Sequence, residues 1–128
     1  MSTRTLAWIL RIAGIYGILV IAPGFFSEAH YSGMFPPAVN HLEFYYGFYS
    51  VTFAWQVVYL VMARDPARYR LLLIPAWLEK GLFPAFIGWL YATGRVSFMM
   101  FALSGIDVVF LVLFVVGYVR LTEFPHGR

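Results

Sequence analysis

Long apolar stretches follow one another along this chain with only short polar connections between them, at about residues 6–25, 42–63, 71–92 and 98–119. Few folds accept that pattern. A helix needs about 20 residues to cross the hydrocarbon of a bilayer, so each stretch is one span, and together they nearly exhaust the length. Only 12% of the residues are charged and 62% are hydrophobic, where a soluble domain is about a quarter charged. Too little polar surface remains to keep such a chain in water. In lipid, a helix satisfies its backbone internally. The expectation is one all-α domain over residues 1–128, an integral membrane four-helix bundle with no separate soluble part.

The punctuation between stretches sets the layout. Arg4 precedes the first stretch as in a signal peptide, but the stretch is long, contains Arg11, and ends in Pro23, Gly24, Phe25 and Phe26 rather than small residues. It reads as a retained helix. Residues 27–41 are polar, with Gly33, Pro36 and Pro37 expected to block regular helix. A basic turn at 64–70 and a tight turn at Gly94 and Arg95 join the later stretches, and the tail from Arg120 to Arg128 is expected to fray. Arg4, Arg64, Arg68, Arg70, Arg120 and Arg128 fall on one side of an alternating path, with Arg95 on the other. The positive-inside rule makes both chain ends cytoplasmic and turns residues 27–41 outward.

The net charge of +3 would suggest nucleic acid in a soluble protein. Here the arginines stand at span ends, where they set topology and meet anionic headgroups, so no nucleic acid is expected. Cysteine is absent, which excludes disulfides, thiolate metal sites and thiol catalysis. No glycine-rich phosphate loop, serine-nucleophile motif or voltage-sensor arginine ladder is present.

Arg11, Glu79, Lys80 and Asp107 lie inside the apolar stretches. A charge at the bilayer centre costs about 2.5–3.5 kcal/mol on insertion scales, so these side chains should face the interior and find partners. Their signs cancel. Arg11 shares a helical stripe with Gly14, Gly17 and Ile21, and Lys80 shares one with Ala76, Pro84, Gly88 and Ala92; small residues mark close helix approach. Pro84 also leaves the carbonyl of Lys80 without its helical donor. The second stretch offers two polar faces: Glu43, Gly47, Ser50 and Ala54, and Tyr49, Thr52, Gln56 and Tyr59. Depth along the helices pairs Lys80 with Asp107 near the middle. It sets Glu79 beside Arg11 or Gln56, outside that pair, unless Arg11 snorkels to the interface. These residues either fix helix register only or line a polar, ligand-binding site.

The outward segment holds Glu28, His30, His41 and Glu43. Two histidines with carboxylates are a possible divalent-metal set if the segment folds back. Spacing of this kind is common by chance, and no metal site is expected.

The basic 64–70 turn, the Glu79-Lys80 pair and Gly105-Ile106-Asp107 on the fourth stretch resemble, in order and layout, the DoxX-like group of small bacterial membrane proteins. The resemblance covers most of the chain at the level of hydropathy. It implies a compact four-span bundle in the bacterial inner membrane and, for some relatives, association with quinone-linked oxidation of sulfur compounds. It carries over no catalytic residue. Sterol isomerases and sigma-receptor-like proteins offer an analogy of chemistry alone, through intramembrane acids around an apolar ligand. The leading functional expectation is a cavity for a small apolar or amphipathic molecule, a quinone or a lipid, because aromatic side chains with a few convergent polar groups make ligand pockets. The alternatives are a proton-coupled carrier or enzyme using Glu79 or Asp107, and an accessory subunit of a larger membrane complex or homo-oligomer.

Overall fold

The computed structural model describes residues 1–123, which are mostly helical with no strand among them. The first helix, α1 (Thr3–Ile21), starts where Ser2 can cap it: the Thr5 N–H donates to Ser2 Oγ at 3.1 Å and the Leu6 N–H to the Ser2 carbonyl at 3.0 Å. The first bond satisfies an otherwise orphan donor, and the second is the first regular bond of the helix. Pro23 cannot continue the α ladder, and the chain tightens into a 3₁₀ turn over Ala22–Phe26.

The segment over residues 27–41 departs from expectation. It forms a short helix, α2 (Glu28–Met34), which runs through Gly33 and stops before Pro36 and Pro37, joined by a cis peptide. One glycine costs a helix only about 1 kcal/mol, whereas the residue before a proline is pushed out of the helical region. The prolines alone break the helix.

Helix α3 (Leu42–Met62) is followed by a turn in which Asp65 Oδ1 accepts from the Arg68 N–H at 3.0 Å. A 3₁₀ turn over Arg70–Leu72 leads into α4 (Leu73–Ala92), which carries Pro84 in its interior. Gly94 ends α4 at φ 72°, with its N–H on the Tyr91 carbonyl at 2.9 Å and the Arg95 N–H on the Leu90 carbonyl at 2.8 Å. A β-carbon disfavours that left-handed conformation, and the paired bonds close the last turn. Ser97 Oγ then receives the Met100 N–H at the start of α5 (Phe98–Glu123). The helix continues past the expected end near residue 119, so the tail is helical to Glu123. Residues 124–128, including Arg128, lie outside the described part.

Three segments are long and apolar enough to cross a membrane: Thr3–Phe26, Arg70–Ala92 and Phe98–Leu121. Helix α3 has a similar length, 21 residues, but Glu43, Gln56 and several tyrosines dilute its hydropathy.

The helices associate in two pairs, α1 with α3 and α4 with α5. Glycine sets the first contact. A β-carbon on Gly14 would stand 2.8 Å from the Gln56 carbonyl oxygen, and one on Gly17 would stand 1.9 Å from Gln56 Oε1. The pairs join at the end holding the N-terminus and the basic turn. Leu6 and Leu10 of α1, Tyr59 and Met62 of α3, Leu73 and Ala76 of α4 and Phe114 of α5 form one buried cluster there. Leu6 also fits over Gly117, so the start of α1 lies against the far part of α5.

At the opposite end the pairs share little. Helices α3 and α4, though consecutive in the chain, pack little backbone together and touch through side chains such as Phe48 and Phe83, centroids 5.9 Å apart. An open cleft of about 510 Å³ lies between α2 and the α4–α5 turn, lined by Tyr31, Phe35, Arg95 and Met100 among others.

Candidate polar site between the helix pairs

The side chain of Lys80 is 8% exposed, on a stripe of α4 whose preceding member, Ala76, is fully buried. Small residues on that face bring α5 close. Lys80 Nζ reaches Asp107 Oδ1 of α5 at 2.9 Å, the contact expected from depth along the helices. Asp107 is 24% exposed and Glu79 16%. A buried ammonium needs such a partner, because an isolated charge in this setting would shed its proton or draw in water.

Glu79 departs from the expected pairing. It joins the same ammonium, with Lys80 Nζ 3.3 Å from Oε2 and 3.5 Å from Oε1, and it accepts a hydrogen bond from the Tyr59 hydroxyl. Depth along the helices had set Glu79 apart from this pair, and consecutive residues on a helix also point about 100° apart. The flexible Lys80 stem overcomes that angle by bending back over the Tyr59 ring, 5.5 Å from its centroid. Tyr59 is fully buried between Trp55 and Phe114. Three helices, α3, α4 and α5, thus meet at one ammonium.

Arg11 does not reach this cluster. Its guanidinium lies over the Trp8 ring, 4.9 Å from the centroid, and forms no ion pair among the described residues. Trp8 sits one turn nearer the helix start, so the long side chain turns towards the end of the molecule. The expected cancellation of signs fails accordingly: one ammonium faces two carboxylates.

Gln56 is 1% exposed. Its Nε2 donates to the Thr52 carbonyl at 2.9 Å, while Oε1, packed against Gly17, has no donor among the described residues. It belongs to the α1–α3 contact and makes no bond to Glu79. Tyr49 lies farther along the same face, where its ring fills the space over Gly24. Tyr45 hydrogen-bonds the Gly24 carbonyl at 2.8 Å, and Phe25, Tyr31, Tyr45 and Tyr49 form an aromatic group with centroids 4.7–5.9 Å apart. Burial among these rings, and Tyr45 beside it, raise the Tyr31 hydroxyl above its ordinary pKa. Tyr31 and Tyr45 were not singled out by sequence. The spacing of Tyr45 and Tyr49, one turn apart beside the Pro23-Gly24 break, carried that signal.

The other polar face of α3 points away from the protein: Glu43, Gly47, Ser50 and Ala54 are all exposed. Glu43 meets His41 Nδ1 at 3.0 Å, in a contact both partners make at the surface. Glu28 accepts instead from the Tyr46 hydroxyl at 2.9 Å, and His30 is exposed. Glu28, His30 and His41 therefore do not converge, and no group of three potential metal ligands occurs among the described residues.

No family model, curated protein or solved structure matches this chain. Its chemistry rests on its own geometry. Tyr16 of α1 packs its ring near Phe110 of α5, centroids 6.0 Å apart. Residues from three long helices surround a buried ammonium with surplus acceptors. Such a site can hold a proton, orient a polar head or lock helix register.

Proposed function

We propose that this chain is a four-span membrane protein whose α1, α3, α4 and α5 form a bundle with both ends cytoplasmic. In that bundle the space between the two helix pairs binds a small apolar or amphipathic molecule such as a quinone or a lipid. One observation carries the reading: the Tyr59–Glu79–Lys80–Asp107 cluster bridges the pairs where their shared core ends, beyond which aromatic side chains dominate. An apolar tail would lie among Phe48, Phe83 and their neighbours while a polar head met the cluster, the usual division of labour in a ligand pocket.

The topology follows from the distribution of arginine. Arg4, Arg64, Arg68 and Arg70 flank the well-packed end and Arg95 stands at the other, as the positive-inside rule requires of a bacterial inner-membrane protein. Exposed apolar residues along every long helix, among them Leu19, Val51, Leu82 and Val109, suit contact with lipid. Single cysteines at positions 33 and 68 should label from opposite sides. The ligand is tested by intact mass spectrometry of protein released from lipid nanodiscs. A small molecule retained by the native chain, and lost from Glu79→Gln or Asp107→Asn, supports the reading; no retained or exchangeable molecule removes it.

A further inference from the structure

The cleft between α2 and the α4–α5 turn has a one-sided chemistry. Its wall includes Tyr31, Met34, Phe35, Arg95, Ser97 and Met100, and none of the described residues lining it is a carboxylate or a histidine. Arg95 makes no ion pair among the described residues. The two acids of the same end are engaged elsewhere, Glu28 by the Tyr46 hydroxyl and Glu43 by His41. The Arg95 guanidinium lies over the Trp89 ring, 5.8 Å from its centroid. Stacking of that kind orients the planar group and leaves its N–H donors, which lie in the plane, free for a partner. Tyr31 adds a hydroxyl that makes no hydrogen bond to the described residues, and burial raises its pKa, so it stays a donor. Ser97 Oγ accepts the Met100 N–H and keeps its own hydrogen to give.

Donors without an acid select an anion, and the rest of the wall decides what carries it. Met34, Phe35 and Met100 offer an apolar surface for which a free inorganic anion has no use. On the membrane reading above, the α4–α5 turn stands at headgroup depth, with Trp89, Tyr91 and Phe98 exposed beside it like the aromatic belt of a bilayer interface. Phospholipid is the amphiphilic anion present at that depth. We infer that the cleft binds the head of an anionic phospholipid, with its phosphate on the Arg95 guanidinium and its glycerol and upper acyl chains against Met34, Phe35 and Met100. A guanidinium meets phosphate through two parallel N–H···O bonds, which fixes orientation as well as charge. The volume, about 510 Å³, lies in the usual range for a ligand site. The Lys80 cluster, with two carboxylates to one ammonium, would repel the same head, so the two sites differ in what they accept. The inference rests on the membrane reading and its topology, and is independent of any ligand at the cluster.

The test is native mass spectrometry of the full chain in a neutral maltoside detergent, titrated with phosphatidylglycerol or with phosphatidylcholine of the same acyl chains. One phosphatidylglycerol should be held about tenfold more tightly than phosphatidylcholine, as expected of a hydrogen-bonded ion pair. Arg95→Gln should remove most of that preference. Met100→Trp, which keeps the charge but fills the cleft, should weaken retention about tenfold. Circular dichroism should show native helix content in both, since Arg95 is exposed and Met100 only partly buried. Arg68→Ala at the opposite end and Glu79→Gln in the cluster should bind as the native chain does. Equal retention of the two lipids, or an unchanged preference in Arg95→Gln, overturns the proposal. Loss in Arg95→Gln with native binding in Met100→Trp reduces the effect to surface charge and overturns it as well. Loss in Arg68→Ala moves the lipid to the basic turn, loss in Glu79→Gln moves it to the cluster, and either result defeats the cleft. Displacement by inorganic phosphate at the lipid's concentration makes the ligand a free anion and defeats the lipid assignment. A lipid lost from Arg95→Gln but kept by Glu79→Gln supports this site alone, whatever becomes of the ligand proposed for the cluster.

Discussion

The two ends of the molecule are built differently. At the basic end, side chains from α1, α3, α4 and α5 converge on one another and leave Leu10, Tyr59, Met62, Leu73, Ala76 and Phe114 fully buried. At the other end, α1 with α3 and α4 with α5 hold as separate pairs, and aromatic rings with an open cleft replace a common core. Both ends are apolar, so hydropathy alone does not separate them. What differs is residue size at the contacts. Gly14, Gly17, Ala76 and Gly117 let backbones close up at and below the charged cluster, whereas Gly47 and Gly105 face open space. In lipid no hydrophobic driving force pulls helices together, so close packing and polar contacts decide where they touch.

The sharpest break would come at the junction between the ends. Lys80→Met strands two carboxylates, and loss of one partner from a buried pair typically costs about 3–5 kcal/mol. Asp107→Leu should cost less, about 1–3 kcal/mol, because Glu79 remains as a partner for Lys80. Denaturation in detergent, with the double variant completing the cycle, should therefore show strong non-additivity and an asymmetry between the single losses. Simple additivity would mean that the cluster does not join the two pairs at all.

Close behind comes the packed end itself. Phe114→Ala opens a cavity where α5 meets Tyr59, and such truncations cost about 3–5 kcal/mol in well-packed interiors. The matching change in the open half, Phe83→Ala, should cost about 1 kcal/mol or less, since Phe83 is only partly buried. Equal losses in thermal unfolding would erase the distinction between the ends.

The glycines give the finest comparison. Gly14→Ala puts a methyl 2.8 Å from a backbone oxygen that cannot swing away, an overpacking penalty of about 1–3 kcal/mol. Gly47→Ala enters open space and should be neutral or stabilising by up to about 1 kcal/mol through helix propensity. The same melting experiment reads both, and a costly Gly47→Ala would show that something occupies that face in the membrane.

Much of the site was legible in sequence because depth along a helix is a one-dimensional quantity. Lys80 and Asp107 lie near the middles of their stretches, and antiparallel neighbours bring equal depths together. Rotation about the helix axis is not one-dimensional. Glu43 and Tyr49 both lie on polar stripes of α3, and nothing in the chain says which stripe faces protein. Gly14 and Gly17 decide it, by drawing Gln56 and Tyr59 inward against α1 and turning Glu43 out. Arg11 was left between two placements for a related reason. Its length lets it choose between a distant carboxylate and a nearby Trp8, and only the packed arrangement fixes that choice.

By itself the sequence determined that the chain is helical, where its apolar stretches begin and end to within a few residues, and that Lys80 meets Asp107. Local backbone physics and the cost of charge in an apolar setting dictate each of these. Tertiary structure alone decided that Glu79 shares the ammonium and Arg11 does not, so that the cluster carries a surplus carboxylate. The reason is physical: partners at similar depth compete for one charge, and competition is settled by the reach of side chains and the rotation of helices.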